Sequence, residues 1–282
     1  MKKRLDIEEG ILLAVVIFAA VAVLVPGVGL TEFFITLLSV SSFLFGIFVA
    51  FFISDRHSRI KRIQELLREQ DANILNIYKL SGEYGKKEQG KIRKLLDNWV
   101  ISTVDYYLKD FHKTMPDFLK VYDHCLALKK NKSRPIIYDQ IIYELKDSSK
   151  TYKRLTYLLR DKLSVIEWGS ITLLSVIMLI CLFAINTNTI FSIPIIVLLS
   201  ISIVAILLVL RDLDQLFWKE HIWIWDPVTQ LFQELDLMPY YPDEAIDLKR
   251  YKPPKGMKYR KAIYTTPYPD MTGKKVEIKI AK

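Results

Sequence analysis

Residues 11–54 read ILLAVVIFAAVAVLVPGVGLTEFFITLLSVSSFLFGIFVAFFIS, with no Lys or Arg among them. A second run with none covers residues 163–210, and all 40 Lys and Arg fall in 2–4, 56–162 and 211–282. A cation at mid-bilayer costs several kcal/mol, so this exclusion is the mark of a membrane protein. Each run is too long for one crossing, which needs roughly 20 apolar residues. Each also breaks near its middle, at Pro26-Gly27-Val28-Gly29 and at Asn186-Thr187-Asn188-Thr189. The expected architecture is an all-α membrane protein with four transmembrane helices in two hairpins, near 10–26, 31–54, 163–184 and 190–210. A cleaved signal peptide would be followed by a soluble chain, whereas here a second span follows at once.

The boundaries divide the chain into an N-terminal transmembrane hairpin (1–54), a cytoplasmic helical insert between spans two and three (55–162), a second transmembrane hairpin (163–210) and a cytoplasmic interfacial helix with an extended tail (211–282). Basic residues near span ends favour the cytoplasmic side. Both termini are therefore expected in the cytoplasm of a multi-pass protein of the plasma (inner) membrane, with both short loops outside. Residues 55–162 hold 24 Lys and Arg against 15 Asp and Glu, a surplus of nine, and 211–282 hold 13 against 11, a surplus of two. Such a surplus attracts anionic headgroups or permeant anions. No base-reading motif accompanies it, so nucleic acid is not an expected partner. Cys125 and Cys181 are expected as free thiols, one cytoplasmic and one within a span.

The insert reads as helices. Ile60, Ile63, Leu67, Ile74 and Ile77 continue the second span as one helix, interrupted at Gly82 and Gly85–Gly90. Leu96, Trp99/Val100, Thr103/Val104, Tyr107/Leu108 and Phe111 form an amphipathic stripe of four turns. Pro116 suits a first helical turn. After Asn131–Pro135, the stripe Ile137, Ile141, Leu145, Tyr152, Leu155 and Leu159 is expected to run unbroken into the third span, so that two spans project as long helices. Past the fourth span, Trp218, Trp223 and Trp225 suggest an interfacial aromatic belt. Asp226-Pro227 opens a short helix through Val228, Leu231, Phe232 and Leu235. From Pro239 onward, Pro242, Pro253, Pro254, Pro267 and Pro269 alternate with tyrosines, which predicts an extended segment wrapping the cytoplasmic helices of its own or an adjacent subunit. Lys275–Ile280 alternates as an edge strand would.

Catalytic chemistry is not expected. His57, His112, His124 and His221 lack zinc-site spacing, and no phosphate loop or nucleophile elbow occurs. The reading is of a non-enzyme with no cofactor and no metal site. Polar residues within the spans are more informative. Glu167, about one turn into the third span, is an intramembrane carboxylate that suggests a cavity, a partner or an interfacial depth. Ser39, Ser41 and Ser42 with Gly46 offer a small-residue face on the second span, and Pro194 is expected to bend the fourth.

Val40-Ser41-Ser42-Phe43-Leu44-Phe45-Gly46-Ile47-Phe48-Val49-Ala50, with Arg56 just beyond, resembles the Ser-Phe-x-x-Gly-Phe-x-Val pattern of the bestrophin second span. The plan of two spans, a helical insert, two spans and a tail is similar to that family. So is Leu210-Arg211-Asp212-Leu213-Asp214-Gln215-Leu216-Phe217 at the end of the fourth span, which resembles the Leu-Asp-x-x-x-Phe sequence of bestrophin-like prokaryotic membrane proteins. The resemblance implies a homo-oligomer, a pentamer in that family, conducting permeant ions through a pore neck lined by the second span. Phe43 and Ile47 would form the neck, and Ser39, Gly46 and Ala50 would line the pore. Calcium-gated bestrophins carry a run of acids after the fourth span, but here only Asp212 and Asp214 stand beside Arg211. Six to eight oxygens are wanted by calcium, so calcium gating is not expected.

An oligomeric channel with an apolar neck and a slight anion preference is the leading reading. A membrane-anchored scaffold or signalling protein whose cytoplasmic helices bind a partner is the alternative, since no charged residue lines the supposed pore. A transporter or lipid-binding protein is a third. Assembly state separates them, because four short spans cannot enclose a pore alone.

Overall fold

The computed structural model describes residues 7–25, 27–29, 31–106, 108–128, 135–217, 221–247, 250–266 and 270–281. The readings placed on Met1–Arg4, Pro26, Tyr107, Asn131–Arg134, Trp218, Pro267 and Pro269 lie outside these residues. The chain is mostly helical, and four helices are long and apolar enough to cross a membrane. It divides into two compact units, one of Lys2–Ile60 with Lys162–Trp218, the other of Lys61–Asp161 with Lys219–Lys282. The insert and the tail thus share one unit.

The spanning unit contains α1 (Ile7–Leu24), the first half of α2 (Glu32–Ser81), α6 (Val165–Ala184) and α7 (Ser192–Asp214). Packing differs from two self-paired hairpins. Helix α1 lies chiefly along α7, and Phe18 meets Phe183 of α6 at 6.0 Å between ring centres. Phe45, Val49 and Phe52 of α2 instead share a buried cluster with Ile171 and Met178 of α6 and Ile196, Ile203 and Leu210 of α7. Pro194 sits in the first turn of α7, where no amide partner is lost, so it bends nothing.

The two loops of this unit lock together. Val28 and Gly29 both donate their amides to the carbonyl of Ala184, at 2.8 and 3.1 Å. Asn186, 2 % exposed, donates to the carbonyl of Ala22 at 2.9 Å and accepts from the amide of Asn188 and the hydroxyl of Ser192. A Cβ on Gly27 would stand 2.1 Å from the Asn186 carbonyl oxygen, so the approach requires glycine.

Helix α2 runs unbroken for 50 residues, as its pattern predicts. The third span does not continue the helix before it. Here α5 (Pro135–Arg160) stops, and α6 begins afresh after Ser164. The break is a capping box: Ser164 Oγ accepts from the Glu167 amide, and Glu167 Oε2 accepts from the Ser164 amide at 2.6 Å. Those reciprocal bonds satisfy two orphan donors of a helix start, which favours a new helix over continuation.

In the second unit, α3 (Lys86–Asp105), α4 (Met115–Leu126) and α5 pack around Trp99, Phe118 and Tyr152. Of the amphipathic stripe, Leu96, Trp99, Val100, Val104 and Phe111 are buried, although α3 ends at Asp105 and a 3-10 segment, Leu108–Thr114, carries Phe111 onward. Trp223 and Trp225 are 6 % and 0 % exposed. Trp225 packs on Tyr241 and Tyr251, so these two tryptophans form part of a core rather than an interfacial belt. Helix α8 (Asp226–Glu234) opens at Pro227 as expected.

The tail supplies β1 (Tyr240–Pro242), α9 (Asp243–Asp247), β2 (Lys258–Ile263) and β3 (Lys275–Ile280). Strand β1 pairs parallel with β2, and β2 antiparallel with β3, so that β1 and β3 are the edges. The sheet is pinned to α3. Arg260 donates both guanidinium arms to Asp97 at 2.7 Å, and Asp105 accepts from the Tyr240 hydroxyl at 2.5 Å and from Lys274 at 2.7 Å. Burial, with Asp105 close by, pushes the Tyr240 phenol far above its usual range.

Candidate functional site

A helix advances roughly 100° per residue, so the spanning part of α2 has distinguishable faces. Ser41, Phe45, Val49 and Phe52, each 7 % exposed or less, form the face packed on α6 and α7. On roughly the opposite side lie Thr36, Ser39, Phe43, Gly46, Ile47, Ala50, Ser54 and His57, all exposed. Phe43 is 69 % and Ile47 51 % exposed, and no atom stands within 4 Å of a Cβ placed on Gly46. The five residues assigned to neck and pore by resemblance therefore share one stripe that is exposed among the described residues. Between stripe and packed face run Val40, Leu44, Phe48 and Phe51, wholly apolar. Ser41 departs from the expected small-residue face: it is 3 % exposed and turned inward, away from Ser39 and Gly46.

Below the stripe, α2 enters a charged knot. Arg56 and Arg59 are 6 % and 3 % exposed. Arg56 stands 3.5 Å from Asp214 Oδ1, and also holds Asp55. Arg59 donates to the Asp214 carbonyl at 2.9 Å. Asp214 Oδ1 accepts the amide of Leu163 at 2.9 Å, tying the end of α7 to the residues entering α6. Asp212 is held by Arg211 at 3.0 and 3.1 Å. Both acids are buried, in the last turn of α7 rather than beyond it. Their oxygens are engaged by guanidinium and amide groups, an arrangement that fastens helices. Among the described residues, no three His, Cys, Asp or Glu cluster as metal ligands would.

Glu167 is not brought to the stripe or the knot. Its carboxylate is used in the α6 capping box, which gives it a structural occupation. The signal was visible as Ser-x-x-Glu ahead of an apolar run. The arginine partners of Asp214 were not visible, since the bond from Arg59 spans 155 positions of sequence.

A long second spanning helix with a small-residue stripe, a charged knot at its base and four apolar helices define a class of membrane protein built around its second span. A family model for the bestrophin-like domain matches residues 11–218. The chain belongs to that family. No curated protein and no solved structure matches it.

Proposed function

We propose that the protein is an ion channel, assembled from several copies that meet along the stripe of α2 and conducting through the axis between them. The observation that carries this reading is the contrast between the exposed faces of α2. Val40, Leu44, Phe48 and Phe51 suit lipid, whereas Thr36, Ser39, Gly46, Ala50, Ser54 and His57 are small or polar and interrupted only by Phe43 and Ile47. Small residues let helices approach an axis closely. Two large apolar residues one turn apart would form a neck that opposes ions by staying dry. Family membership supports the reading, since bestrophins are ion channels.

In this reading the copies number five, after the family resemblance, in a plasma membrane with both termini and the Lys61–Asp161 unit cytoplasmic. The surplus of nine basic charges in 55–162 would favour anions slightly at the inner mouth. Nothing about the stripe calls for catalysis, and the proposed role is not enzymatic.

The test is current through purified protein in planar bilayers, with oligomer mass from light scattering. Phe43→Ala/Ile47→Ala should carry a larger or less gated current than the parent, with ion preference little changed. A monodisperse monomer, or a double variant conducting like a conducting parent, rejects the neck.

A further inference from the structure

In the second unit α2 and α5 run antiparallel: Gln70 donates to Ser148 Oγ at 2.9 Å, and Glu69 Oε1 accepts from Thr151 at 2.7 Å. Counting along both helices from those bonds brings Tyr157 of α5 near the level of Arg62 of α2. Between them lies an open cleft of about 630 Å³, lined by Arg62, Leu66 and Glu69 on one side and by Lys153, Arg154 and Tyr157 on the other. Ligand clefts measure about 300–1,000 Å³, so the space suits a bound group rather than a few waters. A smaller hollow shares Lys153 and Tyr157 with it and adds Arg160.

These four cations are exposed, and none holds a carboxylate at ion-pair distance among the described residues. Elsewhere in the unit Lys91, Lys120, Arg260 and Lys274 each hold one at 2.7–2.8 Å. Three acids, Glu65, Glu69 and Asp161, share the walls. Glu69 is engaged by Thr151, and on α2 both glutamates come after Arg62, on the side away from the span. The end of the cleft nearer the span is therefore its basic end.

Steps of three and four residues along α2 lead from Leu44, Phe48 and Phe51 through Asp55 and Ser58 to Arg62, Leu66 and Glu69. The cleft thus continues the apolar flank of that helix and not the Ser39–Ala50 stripe. Arg62 follows Ser54 by eight residues, about 12 Å of helix, and long basic side chains reach back toward a membrane surface. We infer that the cleft binds the headgroup of an anionic phospholipid, its phosphate held by Arg62, Lys153 and Arg154 with Tyr157 alongside. Guanidinium forks match phosphate oxygens, whereas a zwitterionic headgroup would bring its own ammonium against the same cations. The inference rests on the chain spanning a membrane and is independent of conduction through the stripe.

The experiment uses the full chain in neutral detergent, with native mass spectrometry counting bound lipid as dioctanoyl phosphatidylglycerol is added. The parent should bind it saturably and at least about tenfold more tightly than dioctanoyl phosphatidylcholine. Each basic side chain near an anionic headgroup is worth roughly fivefold, so Arg62→Gln/Lys153→Gln/Arg154→Gln should weaken binding at least about tenfold and Arg62→Gln alone by less. Lys87→Gln/Lys94→Gln/Lys255→Gln removes the same charge from exposed positions that do not line the cleft, and should change binding less than about twofold. Melting curves without lipid confirm that each variant is folded. Glycerol phosphate, which has no tails, should not compete at equal concentration. Equal binding of the two lipids, or equal losses in the two triple variants, would reduce the cleft to general basic attraction and overturn the inference. So would full competition by glycerol phosphate, which makes the occupant a free anion, or a parent that binds no lipid saturably.

Discussion

The two units hold together by opposite means. In the second, aromatic and aliphatic side chains point inward: Trp99, Phe118, Trp225, Tyr240 and Tyr241 are all nearly or fully buried, with ion pairs such as Lys120–Asp117 left at the surface. In the spanning unit large apolar residues point outward, among them Leu12, Phe33, Phe43 and Phe51. Its polar contacts concentrate at the ends of the helices, in the Asn186 loop lock and the Arg56–Arg59–Asp214 knot. Lipid tails are as apolar as leucine, so hydrophobic burial cannot gather helices there; close packing and hydrogen bonds must. In water the order reverses, and burial at about 25 cal/mol per Å² dominates.

Deleting residues 239–282 should produce the largest effect, because Tyr240 and Tyr241 are fully buried and an aromatic residue buries roughly 150–250 Å². The expected outcome is loss of protease resistance in the second unit while the four spans still insert. An equally resistant product would break the contrast, since the tail would then not be core.

Next comes Asp214→Ala, which takes away the buried carboxylate 3.5 Å from Arg56 and the acceptor of the Leu163 amide, while Arg59 keeps its bond to the backbone carbonyl. Removing one partner of a buried pair costs about 3–5 kcal/mol, and Arg56 keeps Asp55, so the loss should fall near the lower end and appear as a downward shift of thermal unfolding in detergent. Gly27→Ala should follow, at about 1–3 kcal/mol, because its new methyl meets backbone rather than a side chain that can turn aside. A melting temperature unchanged in either variant would deny that end contacts hold this unit.

Asp71→Asn sharpens the other half. The folded carboxyl, raised to about 7 by burial and then by Glu234, keeps its proton more tightly than the unfolded one at 3.8. Stability from this group is therefore full below pH 4 and is lost as pH rises from about 4 to 7. The asparagine variant should melt higher than the parent at pH 8, and the gap should shrink toward pH 5. A gap independent of pH would assign the effect to packing instead. Lys120→Ala should do least. Its partner is three residues away and its side chain is 62 % exposed, so a change within about 0.5 kcal/mol is expected, and anything larger would show surface charge carrying weight in this unit.

Much of this plan was legible because membrane crossing is a property of local composition. The absence of Lys and Arg from 11–54 and 163–210 locates four helices within a few residues of where they stand. The edge strand Lys275–Ile280 and the Asp226-Pro227 helix start were legible for the same reason, as local pattern and local turn chemistry. What failed depended on partners. Three tryptophans after a span fit an interfacial belt or a core equally well, and only the burial of Trp223 and Trp225, with Tyr241 and Tyr251 packed on Trp225, decides those two for the core. The apolar stripe from Ile137 to Leu159 shows no breaker, yet Ser164 and Glu167 start a new helix by hydrogen bonds that periodicity does not register. The stripe of α2 was named by resemblance. Separating it from the packed face required Phe45, Val49 and Phe52 to be seen against α6 and α7, because these three are no more apolar than Phe43 and Ile47.

The central claim, that the Ser39–Ala50 stripe faces the conducting axis rather than lipid, is tested most directly by cysteine accessibility along α2 in reconstituted protein held in its conducting state. Native Cys125 and Cys181 are both buried and should stay silent. Cysteines placed one at a time at Ser39, Phe43, Gly46, Ile47 and Ala50 should react with a charged, membrane-impermeant thiol reagent and alter the current. Those at Val40, Leu44, Phe48 and Phe51 should not. Reaction at the second set with silence at the first would place the stripe in lipid and contradict the account.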